Sequence, residues 1–322
     1  MSILRASTIA ILQPGQMGAS FALAFRSAAP HIRLLTALSG RSARTKRLAA
    51  AHGIEDLGSL PAVLREAEVV LSVVVPDKAQ AFAEEVAAAA RKLAQEGELK
   101  TRFFVDLNAV APGTVKAAAA AFEGIDGVEV VDGSIFGGPA TATSAPPIAL
   151  SGPKAEELNA LLHPLFLGQT YVAGPRVGQA SALKLAFAGI TKGLQGLVVN
   201  SALLADEHGV GEALQRQLGE SRPDLLKVMQ VFVPQATAKA FRWVGEMDEI
   251  STAYRAASLP SGAQVFAGLS ATQALIARSS LGEEKIEENL EAVKRGRGIE
   301  EVVKALREQK EKERREGEER EK

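Results

Sequence analysis

The segment from Thr8 to Gly18 reads TIAILQPGQMG, a short apolar run followed by a turn that contains glycine. The apolar run predicts a buried strand, and the alanine-rich stretch after it predicts a helix. A turn between a strand and a helix is where the G-x-G-x-x-G fingerprint sets backbone N–H groups and a helix N-terminus against a pyrophosphate. The segment therefore predicts a dinucleotide site, and an ordinary strand-to-helix turn is the alternative.

The turn departs from the fingerprint at its first position, where Gln13 replaces glycine. Gly15 would still allow close approach of the cofactor to the backbone, and Gly18 would allow close packing of helix on strand. Gln13 would then make the tight turn with a side chain attached. We expect the whole turn to contact the cofactor, namely Gln13, Pro14, Gly15, Gln16, Met17 and Gly18.

Short β-branched runs alternate with alanine-rich helical stretches after this turn, which is typical of βαβ units. The predicted strands are Thr8–Leu12, Ile32–Thr36, Val69–Val75, Phe103–Leu107, Val128–Val131 and Ile148–Leu150. We therefore predict an α/β fold, a Rossmann-type doubly wound parallel sheet over residues 1–175 followed by an all-α domain.

The all-α domain is predicted over residues 176–282 and begins with a long helix, Gln179–Glu207. This stretch contains no proline and is apolar on nearly every face, so it needs burial on all sides. Its small residues permit close approach of another helix, and they are Ala180, Ala182, Ala186, Ala188, Gly189, Gly193 and Gly196. We expect a homodimer through this helix. Lys184, Lys192 and Gln195 interrupt the apolar run, which argues against a membrane span.

Composition excludes several classes of function. The 322 residues carry 37 Lys and Arg against 38 Asp and Glu, so no bulk charge favours nucleic acid. The absence of cysteine excludes thiol chemistry and cysteine-ligated metals, and the four histidines are too scattered to indicate a metal cluster. The first apolar run is too short for a secretion signal, so we expect a cytoplasmic protein.

Charge is concentrated at the C-terminal end, where 26 of the 40 residues from Glu283 to Lys322 are charged, 14 acidic and 12 basic. Such a segment favours helix but offers few apolar residues for packing. We predict a charged helical or disordered tail over residues 283–322.

The predicted second strand ends in a cationic turn, Leu38–Arg44, with no acidic residue between residues 31 and 54. NAD-binding proteins usually place an acid there to bind the ribose hydroxyls. Arg41 would instead pair with a 2′-phosphate, with help from Ser39, Gly40 and Ser42. We therefore predict NADP as the cofactor, with NAD less expected. The alternative is that these residues are only a solvated helix start.

The order of five motifs resembles that of the β-hydroxyacid dehydrogenase superfamily, the short relatives of 6-phosphogluconate dehydrogenase. The motifs are Gly15–Gly18, Val75-Pro76, Asp106–Thr114, Gly137-Gly138, and Gly178 followed six residues later by Lys184. Arg242–Met247, which reads RWVGEM, is similar to a subgroup with a poorly characterised C-terminal domain.

This resemblance implies hydride transfer between a nicotinamide and a small hydroxy acid or the related carbonyl, with Lys184 as general acid/base. An apolar setting near a cationic nicotinamide would lower the pKa of that lysine. The resemblance also implies that Asn108, Gly137 and Gly138 hold the substrate carboxylate. Cofactor contacts are implied for Val75, Pro76 and Asn108, and a homodimer is the family's assembly.

Three positions depart from the family pattern, since Phe136 and Asn108 replace small hydroxyl residues and Ala188 replaces an asparagine. A bulkier or less acidic substrate is therefore expected. Two alternatives remain. One is an imine reductase-like enzyme, although such enzymes generally carry Asp or Tyr at the position of Lys184. The other is a non-catalytic NADP(H)-binding protein.

Overall fold

The structure is a computed structural model that describes residues 8 to 320. The predicted Rossmann domain and tail also include residues 1–7 and 321–322, which lie outside the described residues. Two compact units make up the chain, the first ending at Leu185 and the second beginning at Ala186. The first unit thus extends to residue 185, against the predicted boundary of 175.

The described part of the first unit contains an eight-stranded sheet in the order β3-β2-β1-β4-β5-β6-β7-β8. Its strands are β1 (Thr8–Leu12), β2 (Arg33–Thr36), β3 (Glu55–Asp56), β4 (Val69–Ser72), β5 (Phe103–Asp106), β6 (Glu129–Ile135), β7 (Ile148–Ser151) and β8 (Thr170–Gly174). All neighbouring pairs are parallel except β6 and β7, which pair antiparallel. The predicted α/β Rossmann-type fold is confirmed, with this one antiparallel pair and two unpredicted strands, β3 and β8.

Helices cover both faces of the sheet, as the doubly wound prediction requires. They are α1 (Gln16–Ala28), α2 (Ala43–Ala51), α3 (Leu60–Leu64), α4 (Ala79–Glu96), α5 (Pro112–Ala120) and α6 (Ala155–Leu162). Along β1, Ile9 and Ile11 join a core that includes residues of α1 and α6, while Ala10 and Leu12 join the opposite core with α3 and α4. This alternation follows from the two-residue period of a strand buried on both faces.

Helix α7 (Gln179–Glu207) has the predicted bounds. It starts in the first unit and runs into the second, whose other helices are α8 (Gly211–Ser221), α9 (Pro223–Lys227), α10 (Val233–Ala236), α11 (Ala240–Ala256), α12 (Pro260–Arg278), α13 (Ile286–Lys294) and α14 (Ile299–Arg320). The predicted helical character of this region is thereby confirmed.

The glycines of α7 face α12 within the second unit. A Cβ atom added at Gly189 would lie 3.0 Å from Phe266, and one at Gly196 would lie 2.8 Å from Leu269. The small residues that we expected to admit a second copy of the helix therefore serve, at these positions, a contact inside the protomer. Helix α7 is also the one helix in the described chain that is long and apolar enough to cross a membrane, by length and composition alone.

The charged C-terminal segment is not separate from the second unit. Ile299, Val302, Val303 and Leu306 on the first turns of α14 are buried in the same core as Val199 of α7. These few apolar residues share one helix face, which is enough to attach the helix even though the segment is highly charged. The residues of α14 after Arg307 are mostly exposed.

Candidate functional site

The predicted site residues follow the carboxyl ends of five strands, β1, β2, β4, β5 and β6. These strands are mutually parallel, so the loops after them meet at one edge of the sheet. β1 lies between β2 and β4, and the strand order reverses there, which opens a crevice at that edge. The loops bring together Gln13 to Gly18, Ser39 to Ser42, Val75-Pro76, Asn108 and Gly137-Gly138.

The glycine turn has the conformation expected of a fingerprint turn. Gln13 has a φ of 51°, the left-handed conformation that the first glycine would adopt without strain. A Cβ atom at Gly18 would lie 3.3 Å from Ile11, whereas one at Gly15 would meet nothing within 4 Å. Gly18 therefore provides close helix–strand packing, and Gly15 leaves open space at the start of α1. No side chain caps the first turn of α1, so its N–H groups are available to a ligand.

A cavity of about 240 Å³ lies beside this turn, at the ends of β1 and β2. Three predicted cofactor residues, Gln13, Ser39 and Arg41, line it, together with Leu12, Ala37, Gly58, Ser59, Leu60, Pro61, Phe82 and Glu85. The predicted Arg41 side chain thus lies at a concave surface next to the glycine turn.

Asp56 holds the loop that carries Arg41. Its Oδ1 atom accepts N–H bonds from Leu38 at 2.9 Å and Gly58 at 2.8 Å. The Arg41 N–H in turn donates to the Leu38 carbonyl oxygen at 3.0 Å, in a turn where Gly40 has a φ of 71°. Sequence reasoning missed Asp56, although an Asp-x-Gly tripeptide is a signal for such a turn. Ser42 caps α2 by accepting the Thr45 N–H at 3.2 Å.

Asn108 ties together the ends of β4 and β5. Its Oδ1 accepts the Val74 N–H at 2.6 Å, and its Nδ2 donates to the Ser72 hydroxyl at 3.2 Å. The residue is buried, and its own N–H donates to Asp106 at 2.9 Å. The side chain therefore fixes the shape of the loop that carries Val75-Pro76. Its predicted contacts with substrate and cofactor stay predictions.

The Gly137-Gly138 loop packs close to α1. Gly137 has a φ of 147°, and a Cβ atom there would lie 3.2 Å from Pro146. The Ser20 hydroxyl on α1 accepts the Ala140 N–H at 2.9 Å and donates to the Met17 carbonyl oxygen at 2.7 Å. Ser20 thus joins the glycine turn to the loop that follows β6.

Asp132 of β6 receives the first turn of α7. Its carboxylate accepts N–H bonds from Gly178 and Ser181, both at 3.0 Å, and O–H bonds from Ser181 at 2.7 Å and Ser151 at 2.9 Å. The Ser151 hydroxyl also accepts the Ala180 N–H at 2.9 Å. Three N–H groups that every helix start leaves unpaired are satisfied in this way. Sequence reasoning missed Asp132 because its partners lie 19 to 49 residues away.

Lys184 is held by the end of the same strand. Its Nζ atom donates to the Ile135 carbonyl oxygen and lies 4.9 Å from the centre of the Phe136 ring. Burial lowers the pKa of Lys184 below its ordinary value of 10.5. The structure thus brings the predicted acid/base residue together with Phe136, the first residue of the segment that leads into Gly137-Gly138.

Asp106 lies opposite Asp132 on the neighbouring strand and is also buried. One of its carboxylate oxygens, Oδ2, has no hydrogen-bond partner. Burial raises the pKa of Asp106 to about 6, and the charge of Asp132 adds to this effect, against hydrogen bonds from Asn108.

This raised pKa predicts a pH-dependent stability. Because the folded-state value lies above the unfolded value of 3.8, the stabilisation is complete below pH 4 and is lost as the pH rises through 6. Asp106→Asn cannot ionise, so its stability relative to the wild type should increase by about 3 kcal/mol between pH 3 and pH 8. Urea unfolding over this range measures the difference. Asp126→Asn, in an exposed loop, is the control and should follow the wild-type profile. If the free energy of unfolding of Asp106→Asn differs from that of the wild type by the same amount at every pH, the prediction is wrong.

The second unit contains a separate charged contact. Lys192 of α7 pairs with Glu246 of α11, and its Nζ atom lies 5.2 Å from the centre of the Trp243 ring. Trp243 and Glu246 both belong to the RWVGEM segment. This segment therefore supports α7 within its own unit. Among the described residues, no group of three His, Asp or Glu side chains is arranged to hold a metal ion.

The strand order and the crevice at this edge of the sheet are those of a Rossmann-type fold. Residues 205–276 match a family model described as a domain of unknown function, DUF1932. No curated protein sequence matches the chain.

Solved structures match over nearly the whole length. A conserved hypothetical protein from Sinorhizobium meliloti 1021 is 26% identical, with a TM-score of 0.71, over 95% of this chain and 98% of that one. The conserved protein MTH1747, described as structurally similar to 3-hydroxyacid dehydrogenases, is 23% identical, with a TM-score of 0.65, over 83% and 98%. Mycobacterium tuberculosis 3-hydroxyisobutyrate dehydrogenase with L-serine is 18% identical, with a TM-score of 0.65, over 90% and 99%.

The chain therefore has the fold of the NAD(P)-binding, 3-hydroxyacid dehydrogenase-like proteins, and the resemblance that its motifs predict is confirmed.

Proposed function

We propose that this protein is an NADP(H)-dependent oxidoreductase that acts on a small hydroxy acid or the related carbonyl, with Lys184 as general acid/base. The observation that carries the proposal is the environment of Lys184. Its amine is half-buried, has a lowered pKa and is held by the Ile135 carbonyl oxygen at the end of β6. A lysine whose pKa is lowered in this way is better suited to proton transfer than an exposed one.

The bound cofactor would supply hydride transfer at its nicotinamide ring. Lys184, in its neutral form, would accept the proton of the substrate hydroxyl as the carbon–oxygen double bond forms. In carbonyl reduction the protonated Lys184 would return that proton to the oxygen. The Ile135 carbonyl oxygen takes one N–H of the amine, and another position on Nζ would exchange the proton with the substrate oxygen.

The residues around the glycine turn fit a dinucleotide. The open space at Gly15 and the uncapped first turn of α1 suit a pyrophosphate. The cavity lined by Ser39 and Arg41 suits the adenosine end, and the Arg41 guanidinium suits a 2′-phosphate. These features support NADP as the cofactor.

The residues that the resemblance assigns to the substrate bear on its chemical class. Phe136 faces the lysine amine with an apolar ring where the family has a small hydroxyl residue. Asn108 uses its amide to join β4 and β5. Of the two departures expected from the sequence, a bulkier or a less acidic substrate, this arrangement supports the less acidic one, such as the related carbonyl.

The test has two stages. Thermal shift with NADPH and NADH identifies the cofactor, because a ligand that binds the folded state raises Tm. A panel of 3-hydroxy acids with NADP, including L-serine and 3-hydroxyisobutyrate, and a panel of carbonyls and cyclic imines with NADPH then test turnover. Cofactor binding without turnover in any panel would favour the non-catalytic alternative, and turnover of imines alone would favour the imine reductase-like one.

Arg41→Ala should raise the Kd for NADPH about 10- to 100-fold and change the Kd for NADH less than about threefold. The reason is that only NADPH has the phosphate that a guanidinium would bind, and a charged hydrogen bond contributes about 1.5–3 kcal/mol. Fluorescence titration measures both constants. Arg47→Ala is the control, since Arg47 is exposed on α2 and does not line the cavity. Equal weakening of both cofactors, or a wild type that prefers NADH, would overturn the assignment.

We propose further that the protein is a homodimer through α7. Ile190, Leu197 and Leu204 recur at seven-residue intervals, and their side chains are 71%, 50% and 62% exposed. Only 28% of an apolar 18-residue stretch of α7 is buried within the protomer. A seven-residue apolar repeat favours pairing with another helix, and a second copy presents the same surface. Sedimentation that detects only monomer at micromolar concentration would contradict this proposal.

A further inference from the structure

We propose that Asp132 is a positioning residue for Lys184, because its carboxylate anchors the first turn of α7 to β6 and thereby holds the lysine amine at the Ile135 carbonyl. The proposal rests on the proposed function only for the catalytic consequence. The anchoring contacts themselves all lie within the first unit.

The contacts of Asp132 are those of an anchor. The side chain is fully buried and accepts four hydrogen bonds, two of them from the backbone N–H groups of Gly178 and Ser181. Leaving a buried carboxylate or its buried N–H and O–H donors without a partner costs free energy. The start of α7 is therefore held at one rotation and one height relative to β6.

Lys184 follows Ser181 by three residues, so both lie on the same side of the first turns of α7. Ile135, which accepts the lysine N–H, follows Asp132 by three residues on the same strand. β6 thus provides both the anchor of the helix and the acceptor for the amine. A shift or rotation of the helix start would withdraw Lys184 from the carbonyl and expose its amine to water.

Removing Asp132 could change the pKa of Lys184 in two ways, through the lost carboxylate charge or through the lost anchoring of α7, and the two effects have opposite signs. Loss of a nearby negative charge alone would disfavour the ammonium form and lower the pKa of Lys184. Loss of anchoring would relieve the burial that lowers it and would raise the pKa toward 10.5. The other buried acid beside this position is Asp106, across the β5–β6 pair.

The experiment is competitive labelling of lysines with trace acetic anhydride across pH, read by mass spectrometry of the peptide that contains Lys184. In Asp132→Ala, we expect the midpoint for Lys184 to rise toward its ordinary value of 10.5. We also expect kcat to fall about tenfold or more, with the Kd for NADPH nearly unchanged. Both changes follow from a displaced amine.

Asp132→Asn tests the cause. An amide oxygen in the place of Oδ2 can accept from Ser151, Gly178 and Ser181, and the Ser181 hydroxyl can reverse to accept from the amide. The asparagine variant should therefore restore most of the wild-type midpoint despite its lost charge. Asp56→Ala is the control for the labelling midpoint alone, since Asp56 also accepts two backbone N–H groups in this unit but has no hydrogen bond to α7.

The proposal is overturned if folded Asp132→Ala keeps the wild-type midpoint, if its midpoint falls, or if Asp56→Ala moves it equally. Should Asp132→Ala fail to fold, Ser181→Ala removes one of the four hydrogen bonds and should give a smaller rise in the same direction. A wild type without turnover would refute the proposed function and leave the labelling result to decide the role of Asp132.

Discussion

Replacing Lys184 by methionine is expected to lower kcat by a factor of about 10² to 10⁴ and to leave the Kd for NADPH within about threefold. Methionine has a similar length and an apolar body, so it fills the half-buried space without an amine to transfer the proton. The binding residues around the glycine turn are on other loops, which is why the cofactor should still bind. Stopped-flow or steady-state kinetics on the substrate found in the screen measure the loss.

The pH profile gives an independent check. In the wild type, the rate of hydroxyl oxidation should rise with pH through the lowered pKa of Lys184, and the variant should lack this step. Lys92→Met is the control, because Lys92 is an exposed residue of α4. If Lys184→Met retains kcat within about threefold, then another group transfers the proton and the proposed mechanism is wrong.

Placing glutamate at both Ile190 and Leu197 is expected to raise the Kd of the homodimer by at least about 10³-fold. Burial of an isoleucine or leucine side chain contributes about 1.5–3 kcal/mol, and a twofold interface counts each substitution twice. Like charges brought together across the axis would add repulsion. Analytical ultracentrifugation over nanomolar to micromolar concentrations measures the change.

A matched variant separates this surface from exposed apolar residues in general. Val210→Glu with Leu259→Glu changes two side chains of the second unit that are 48% and 52% exposed and lie outside α7. This variant should dimerise as the wild type does, and circular dichroism should show that both double variants are folded. Equal dissociation of the two variants, or recovery of the wild type only in a membrane fraction, would refute the α7 interface.

The parts of the fold that the sequence predicts are those with long or clear patterns. β1 and α7 have the predicted bounds, because each is an apolar run with a single unbroken pattern that ends at a turn or a glycine. β3 has only two residues, both acidic, so no apolar run marks it. The antiparallel direction of β7 depends on pairing with β6, which no local pattern specifies.

The candidate site likewise contains residues that the sequence predicts and residues that it does not. The glycine turn and Arg41 can be found from local spacing, and the structure brings them to one cavity. Asp132 could not be found, since it is a polar residue in a buried strand whose hydrogen-bond partners come from other elements. The function of a buried acid depends on which donors the fold brings to it, and this information is nonlocal.

The charged C-terminal segment shows that composition alone does not predict burial. Its composition is that of a solvated segment, yet Val302 and Leu306 are fully buried. Four apolar positions on one face outweigh the surrounding charge, because the charged side chains point to water on the other face of α14.

The glycine contacts between α7 and α12 determine which helical glycines can be replaced by alanine to make this protein more thermostable. Glycine inside a helix is about 1 kcal/mol less favourable than alanine, so its replacement is an obvious route to a higher Tm. At Gly196 the added methyl group would lie 2.8 Å from Leu269 and force it to shift, and at Gly189 and Gly193 it would press on Phe266 at 3.0 and 3.2 Å, so these positions should be left alone. Gly245, Gly268 and Gly317 are helical and have no neighbour within 4 Å of an added Cβ, which makes them the positions at which an engineer should begin.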